Sequence, residues 1–107
     1  MLVLGIETSC DETAVALVEG DARTVRARLR ANLVLSQIDE HAPFGGVVPE
    51  IAARKHVENL PTILQRALAD AGVGAEDLDG VAVTRGPWLM GALLAGWSYG
   101  RGLAMSL

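Results

Sequence analysis

The apolar residues of this chain change period at Pro49, and that switch limits what the chain can fold into. Upstream they come in short runs or in alternation, the spacing of strands. Downstream they first recur at steps of three and four, the spacing of a helix. Leu2 to Ile6 is a continuous apolar run that suits a buried strand, and Thr8 to Glu12 is a polar turn. Thr13 to Val18 is apolar again and closes at Glu19-Gly20-Asp21, a hairpin signal. Val25, Ala27 and Leu29 then alternate with Arg26, Arg28 and Arg30, which predicts a strand with one wet face continuing through Leu33 and Leu35. The opening therefore reads as an antiparallel meander of three strands.

His41 to Val48 reads as a loop, broken by Pro43 and the Gly45-Gly46 pair. Pro49 suits the first position of a helix, where a missing N–H costs little. Ala53, Val57, Leu60, Leu64, Ala67 and Ala71 follow as one apolar stripe, with Pro61 predicting a kink or break and Gly72 a stop. Leu78 to Thr84 holds a short buried strand, Gly86-Pro87 a turn, and a second helix is expected from about Leu89 to the end. Ala92, Gly96, Gly100 and Ala104 fall four apart on it, a face of small side chains that lets a helix or a sheet approach closely. Glycine costs a helix about 1 kcal/mol relative to alanine, so close packing has to offset it. The order is β-β-β-α-β-α, an α/β chain.

Aromatic residues are 4% of the sequence, so the core is expected to be aliphatic. The net charge of −4 supplies no basic face strong enough to hold a nucleic acid alone. Cys10 is the only cysteine, which rules out an internal disulfide and fits a reducing cytoplasm. The N-terminus lacks the basic region and small-residue cleavage site of a signal peptide. The apolar segment from Trp88 to Leu107 is interrupted by Arg101 and four glycines, so it reads as a buried helix and no membrane association is expected.

Three segments carry chemistry. In Gly5 to Thr13 a buried strand delivers a polar turn with two hydroxyls (Thr8, Ser9), the thiol of Cys10 and the three carboxylates of Glu7, Asp11 and Glu12. Backbone N–H groups and hydroxyls in a tight turn can hold a phosphate, provided a cation or basic group offsets the acidic pair. The local pattern by itself also fits a solvated hairpin turn, and favours it. Between Ser36 and His56 lie His41, Glu50, Arg54 and His56, whose spacing matches no zinc signature and reads as loop anchoring and helix-surface charge. Around Gly86 and Pro87 a strand, a turn and a helix start form a second candidate anion loop, or an ordinary connection. Walker A, G-x-S-x-G, C-x-x-C and H-E-x-x-H sequences are absent, and no nucleophile–base pair supports a protease.

In combination and order, L-G-I-E-T-S-C-D-E-T, H-x-x-F-G-G-V-V-P-E-x-A-x-R-x-H and V-A-V-T-x-G-P-x-L-x-G-A-L-L-x-G resemble the start of the TsaD family, relatives of the Kae/Qri proteins once described as O-sialoglycoprotein endopeptidases. The resemblance covers nearly all of this chain and well under half of a family member. It implies an actin-like ATPase fold (ribonuclease H-like, ASKHA) of two similar lobes, with residues 1–107 forming the N-terminal part of the first, short of the next strand and of the second lobe. It implies transfer of threonylcarbamoyl from threonylcarbamoyl-AMP to the N6 amine of the adenosine beside a tRNA anticodon. It implies iron or another divalent metal held by histidines of an H-x-E-G-H-type motif and a distant aspartate, all expected beyond Leu107, so no metal ligand is carried onto this chain. Thr8, Ser9, Cys10, Asp11 and Glu12 match the family's first phosphate-side loop. Arg85, Trp88 and Trp97 depart from its usual residues, and Trp88 replaces the second glycine of a G-P-G turn, which bears on substrate access there.

The resemblance also implies docking of a TsaB-like subunit through the two helices, with Val57, Leu60, Leu64, Ala92, Gly96 and Gly100 as interface candidates. Without its neighbours the chain can instead pair with itself as a homodimer. Taken alone, these residues are expected to be inactive. The competing readings are a non-catalytic TsaB-like scaffold and an ATP-binding member of the sugar kinase and actin superfamily.

Overall fold

The computed structural model describes residues 1–107 apart from Ala22, Val25 and Trp88. Strand β1 (Leu2–Glu7) pairs antiparallel with β2 (Glu12–Gly20), and β2 pairs antiparallel with β3 (Ala27–Ser36). A four-residue helix α1 (Ile38–His41) and a 3-10 turn (Ala42–Phe44) lead to the long helix α2 (Pro49–Ala71). A second 3-10 turn (Ala75–Asp77) precedes β4 (Gly80–Val83), which adds parallel to β1, and α3 (Met90–Ser106) follows. The sheet order is β3-β2-β1-β4. The meander, the helix start at Pro49 and the element order thus agree with the sequence reading, with α1 as an addition.

Alternation decides which face is dry. Leu2, Leu4, Ile6 and Thr8 point inward from β1 and its end, and Thr13, Val15 and Leu17 from β2. Leu60, Ile63, Leu64 and Ala67 of α2 close over them. Helix α2 lies against β2 and β3, α3 against β4 and β1, and the two helices touch each other, so both cover one face of the sheet. The aliphatic core expected from composition is the one observed.

Three local readings need correction. The dry face predicted for β3 is wrong in its first half. A bulge opposite Leu17/Val18 leaves Arg30 as the extra residue, so Leu29 pairs with Val18 and is 60% exposed, while Ala31, Leu33 and Leu35 pack inward. The Arg30 guanidinium donates to the Glu19 carboxylate at 2.8 Å and to the Ala71 carbonyl at the end of α2 at 2.7 Å. Val25, placed on the same face by the alternation, lies outside the described residues.

Pro61 does not break α2, which stays helical from Pro49 to Ala71. Pro61 is exposed, and so is Val57, whose carbonyl would have received the missing N–H, so water can satisfy it. The stripe on α2 is also turned. Its N-terminal half buries Ala52 and His56, while Val57 is 61% exposed. Gly72, at φ 70°, ends the helix in the left-handed conformation expected of a C-terminal stop.

The small face of α3 packs on the sheet. A Cβ at Gly100 would lie 2.6 Å from the Val83 Cγ2, and one at Gly96 would collide with the Thr8 hydroxyl. Among the described residues no helix is long and apolar enough to cross a membrane.

Candidate functional site at the strand ends

Strands β1 and β4 run parallel and end together, at Glu7 and Val83. In open α/β sheets ligands sit outside the carboxyl ends of such strands. Both chemistry-bearing turns picked out from the sequence start there. The Ser9 carbonyl accepts the Leu89 N–H at 3.2 Å, so residues 8–12 and the loop through Gly86 and Pro87 lie side by side at the start of α3. Gly86, Pro87 and Arg85 are exposed; Trp88 lies outside the described residues. On the uncovered face of the sheet, Glu7 and Thr84 line a shallow hollow of about 440 Å³ with Gly5, Ala14, Ala16, Asn32 and Ala82.

The loop is held by its carbonyls. Ser9 is bound to Leu89, the Cys10 carbonyl accepts from His56 Nε2 at 2.8 Å, and the Asp11 carbonyl accepts the Gln37 N–H at 2.9 Å. Three elements therefore fix three successive peptides, leaving Cys10 and Asp11 half-buried and Glu12 exposed. The Glu7 carboxylate folds onto the start of the turn and accepts from the Ser9 N–H at 2.6 Å and the Ser9 hydroxyl at 3.1 Å. Ser9's donors already serve a negative group, which is what a phosphate would ask of them.

Thr8 does not belong with the phosphate-side candidates. Its side chain is fully buried; the hydroxyl donates to the Ala92 carbonyl at 2.7 Å and accepts the Gly96 N–H at 3.1 Å. Ala92 and Gly96 are an i, i+4 pair, so one hydroxyl serves both members of a rung of α3 and bolts that helix to the end of β1.

The part that sequence reasoning missed is a buried polar chain behind the loop. Thr13, Gln37 and His56 are fully buried and His41 nearly so. His56 Nδ1 lies 2.7 Å from the Thr13 hydroxyl and 3.3 Å from Gln37 Nε2. Gln37 Oε1 lies 2.8 Å from His41 Nε2, and His41 Nδ1 accepts the Val48 N–H at 3.1 Å. Among the described residues every buried side-chain polar atom has a partner. Burial pushes the His56 imidazole below its ordinary value; the Cys10 carbonyl, Glu7 and Asp11 pull the other way, and His41 adds to the lowering. The segment reads in sequence as loop anchoring and helix-surface charge; His41 does hold the Val48 N–H, but His56 is buried and is no part of the helix surface. The available signal for His56 was its spacing, four from both Ala52 and Leu60 on the buried side of α2.

All four ring nitrogens of His41 and His56 are engaged in these bonds, and among the described residues no three His, Cys, Asp or Glu side chains are grouped to hold a metal. The residues of this chain do not fit the metal that the resemblance implies.

The interface candidates also separate. Leu64, Ala92, Gly96 and Gly100 are buried in the chain's own core and cannot meet a partner, and Leu60 reaches only the floor of the groove between α2 and α3. The groove encloses about 470 Å³ among Ala53, Val57, Gly91, Leu94, Ala95 and Tyr99, and only Val57 of the predicted set is exposed on it. Burial there raises the Tyr99 phenol above its ordinary value. Trp97 lies on the exposed side of α3, with the Arg101 guanidinium 5.4 Å from its ring centre.

The sheet and the two helices covering one face of it agree with the actin-like α/β fold that the resemblance implies. YeaZ from Pseudomonas aeruginosa superimposes with a TM-score of 0.67 at 24% identity, over 98% of this chain and 39% of that one. A structure described as an uncharacterized protein with similarity to peptidase YEAZ from Pseudomonas aeruginosa gives 0.68 at 24% identity, over 98% and 38%. At the sequence level, the family model TsaD, tRNA N6-adenosine threonylcarbamoyltransferase, matches residues 28–107. Proteins of that name are 62% identical in Methylobacterium sp. (strain 4-46) over 90% of this chain and 58% in Brucella suis over 99%. Another from Thermosipho melanesiensis is 52% identical over 100% of this chain. The chain belongs to the TsaD family. It spans 27%, 29% and 31% of the length of those three relatives.

Proposed function

We propose that residues 1–107 are the N-terminal part of the first of two lobes of a tRNA threonylcarbamoyltransferase. In that reading the Ser9–Glu12 loop faces the phosphate side of threonylcarbamoyl-AMP. The observation that carries the proposal is the meeting of the two loops at the carboxyl ends of β1 and β4, in a chain of this family. The N6 amine of the adenosine beside the anticodon attacks the carbamoyl carbon of the mixed anhydride. A C–N bond forms, the C–O bond to phosphate breaks, AMP leaves and the amine proton passes to solvent. This chain's contribution is positioning and charge. Ser9 donates its N–H and hydroxyl to the phosphate once the Glu7 carboxylate that holds them is displaced, and the start of α3 favours the negative charge that gathers on the leaving phosphate. Asp11 and Glu12 orient a basic group that accompanies it.

Identities of 52% to 62% to transferases, against 24% to YeaZ, support the catalytic branch over a scaffold. The remaining length of those relatives supports three further parts of the reading. These 107 residues alone carry no transferase activity. Any divalent metal, iron or another, is bound by residues other than these. The tRNA is gripped mostly elsewhere, in keeping with the net charge of −4. The groove of α2 and α3, with Val57 and Leu94 exposed on it, supports docking of a TsaB-like subunit there. We place the protein in the cytoplasm, where its tRNA substrate is found.

The test is threonylcarbamoyl transfer to tRNA by the polypeptide extended to the length of its relatives. Asp11→Ala and Glu12→Ala should each lower kcat/KM by about a hundredfold. Wild-type rates in both would remove the loop from the site.

A further inference from the structure

The buried chain of polar groups has a fixed polarity because both its ends are backbone groups. At one end the Cys10 carbonyl can only accept, so His56 Nε2, 2.8 Å away, carries a hydrogen. In a neutral ring, His56 Nδ1 is then an acceptor, and it receives the Thr13 hydroxyl at 2.7 Å and the Gln37 amide at 3.3 Å. At the other end the Val48 N–H can only donate, so His41 Nδ1 accepts at 3.1 Å and His41 Nε2–H donates to Gln37 Oε1 at 2.8 Å. One arrangement satisfies all of these contacts: both imidazoles neutral, both protonated on Nε2. Gln37 contributes twice, with its side chain inside the chain and its own N–H on the Asp11 carbonyl.

We infer that His56 is a positioning residue for the Ser9–Glu12 loop: its Nε2–H fixes the Cys10 carbonyl, and through Thr13, Gln37 and His41 it ties the loop to the segment that opens α2. This inference rests on the reading of that loop as substrate-facing. His56 is fully buried and touches no substrate; it acts through the peptide that carries Cys10 and Asp11. Three successive carbonyls turned inward oblige the following side chains to be presented at fixed places, and His56 holds the central one. A carbonyl left unpaired in that interior would rotate toward another donor and carry Asp11 with it. The ionisable groups facing His56 are Glu7 at the end of β1, Asp11 in the loop and His41 of α1. A proton on Nδ1 would point at the Gln37 amide, which can only donate, while the Thr13 hydroxyl can turn to accept it, so acid breaks the link to Gln37.

Two substitutions separate positioning from general support. His56→Gln places an amide N–H near the position of Nε2 and keeps the bond to Cys10. His56→Asn reaches only the position of Nδ1 and keeps the contact with Thr13. Both are made in the polypeptide extended to the length of its relatives. Two assays are run at matched temperature margins below melting: steady-state kinetics for KM and kcat with threonylcarbamoyl-AMP, and the rate at which iodoacetamide alkylates the Cys10 peptide, followed by mass spectrometry. His56→Asn should raise KM about tenfold, with a smaller fall in kcat, and speed alkylation about tenfold. His56→Gln should stay within about threefold of wild type in both. Equal behaviour of the two variants, whether both intact or both impaired, overturns the inference. If the wild type turns over no threonylcarbamoyl-AMP, the functional reading fails by itself, and the alkylation rates alone decide the role of His56.

Discussion

Replacing Gly96 and Gly102 by alanine, one at a time, should change stability in opposite directions although both lie in α3. Alanine gains about 1 kcal/mol over glycine in a helix interior. At Gly102 nothing lies within 4 Å of the new methyl group, so Gly102→Ala should keep most of that gain, less some fraying near the helix end. At Gly96 the methyl would collide with the Thr8 hydroxyl and lie 3.1 Å and 3.3 Å from the Cγ2 atoms of Thr8 and Ile6. Thr8 cannot turn away without giving up its bonds to Ala92 and Gly96, both buried. Overpacking costs about 1–3 kcal/mol, and stranding one buried polar group costs about 1–3 kcal/mol more. After the helix gain, the net loss is about 1–5 kcal/mol. For a chain of this size each 1 kcal/mol moves the melting temperature by about 4–8 °C. Urea unfolding followed by circular dichroism measures both variants on one scale. A Gly96→Ala protein as stable as Gly102→Ala would show that α3 does not press on the end of β1 as described.

Stability should also fall in mild acid through His56. Its folded-state value is lowered, so the unfolded chain binds the proton more tightly. The contribution is therefore complete above the ordinary histidine value of about 6.5 and is lost as pH falls through the folded value. The slope is at most about 1.4 kcal/mol per pH unit for one proton, and in His56→Gln that part of the dependence should vanish from urea midpoints taken between about pH 5 and 7.5. Val57→Asp and Leu94→Asp, both on the exposed rim of the groove, should cost a TsaB-like partner at least about tenfold in affinity by calorimetry while leaving the melting temperature nearly unchanged; undiminished binding would move the partner elsewhere. Arg30→Ala removes the donors to Glu19 and to the Ala71 carbonyl and should cost about 1 kcal/mol in urea unfolding; no loss would show that water serves that helix end equally well.

What could be read from the sequence was what depends on local period. The strands of the meander, the start of α2 at Pro49 and the close-packed face of α3 all come from side-chain spacing, which the backbone geometry enforces directly. The phase of β3 could not be read, because a single bulged residue, Arg30, exchanges the faces, and the arginines alternate cleanly right up to it. The small residues of α3 announced a close approach but not to what, and the sheet rather than a partner fills that place. The site divided in the same way. Ser9 to Glu12 was legible as a polar turn delivered by a buried strand. Thr8 was grouped with them because a buried and an exposed hydroxyl look alike in sequence. His56 was taken for surface charge because a polar residue at a core position is recognised only once its partners, Thr13 and Gln37, are known to be beside it.

The claim that the Ser9–Glu12 loop faces the acyl-adenylate is tested most directly by ligand protection of Cys10. In the polypeptide extended to the length of its relatives, saturating threonylcarbamoyl-AMP should slow alkylation of Cys10 by about tenfold or more, and AMP should do so more weakly. Alkylation at the same rate with and without saturating threonylcarbamoyl-AMP would contradict the account.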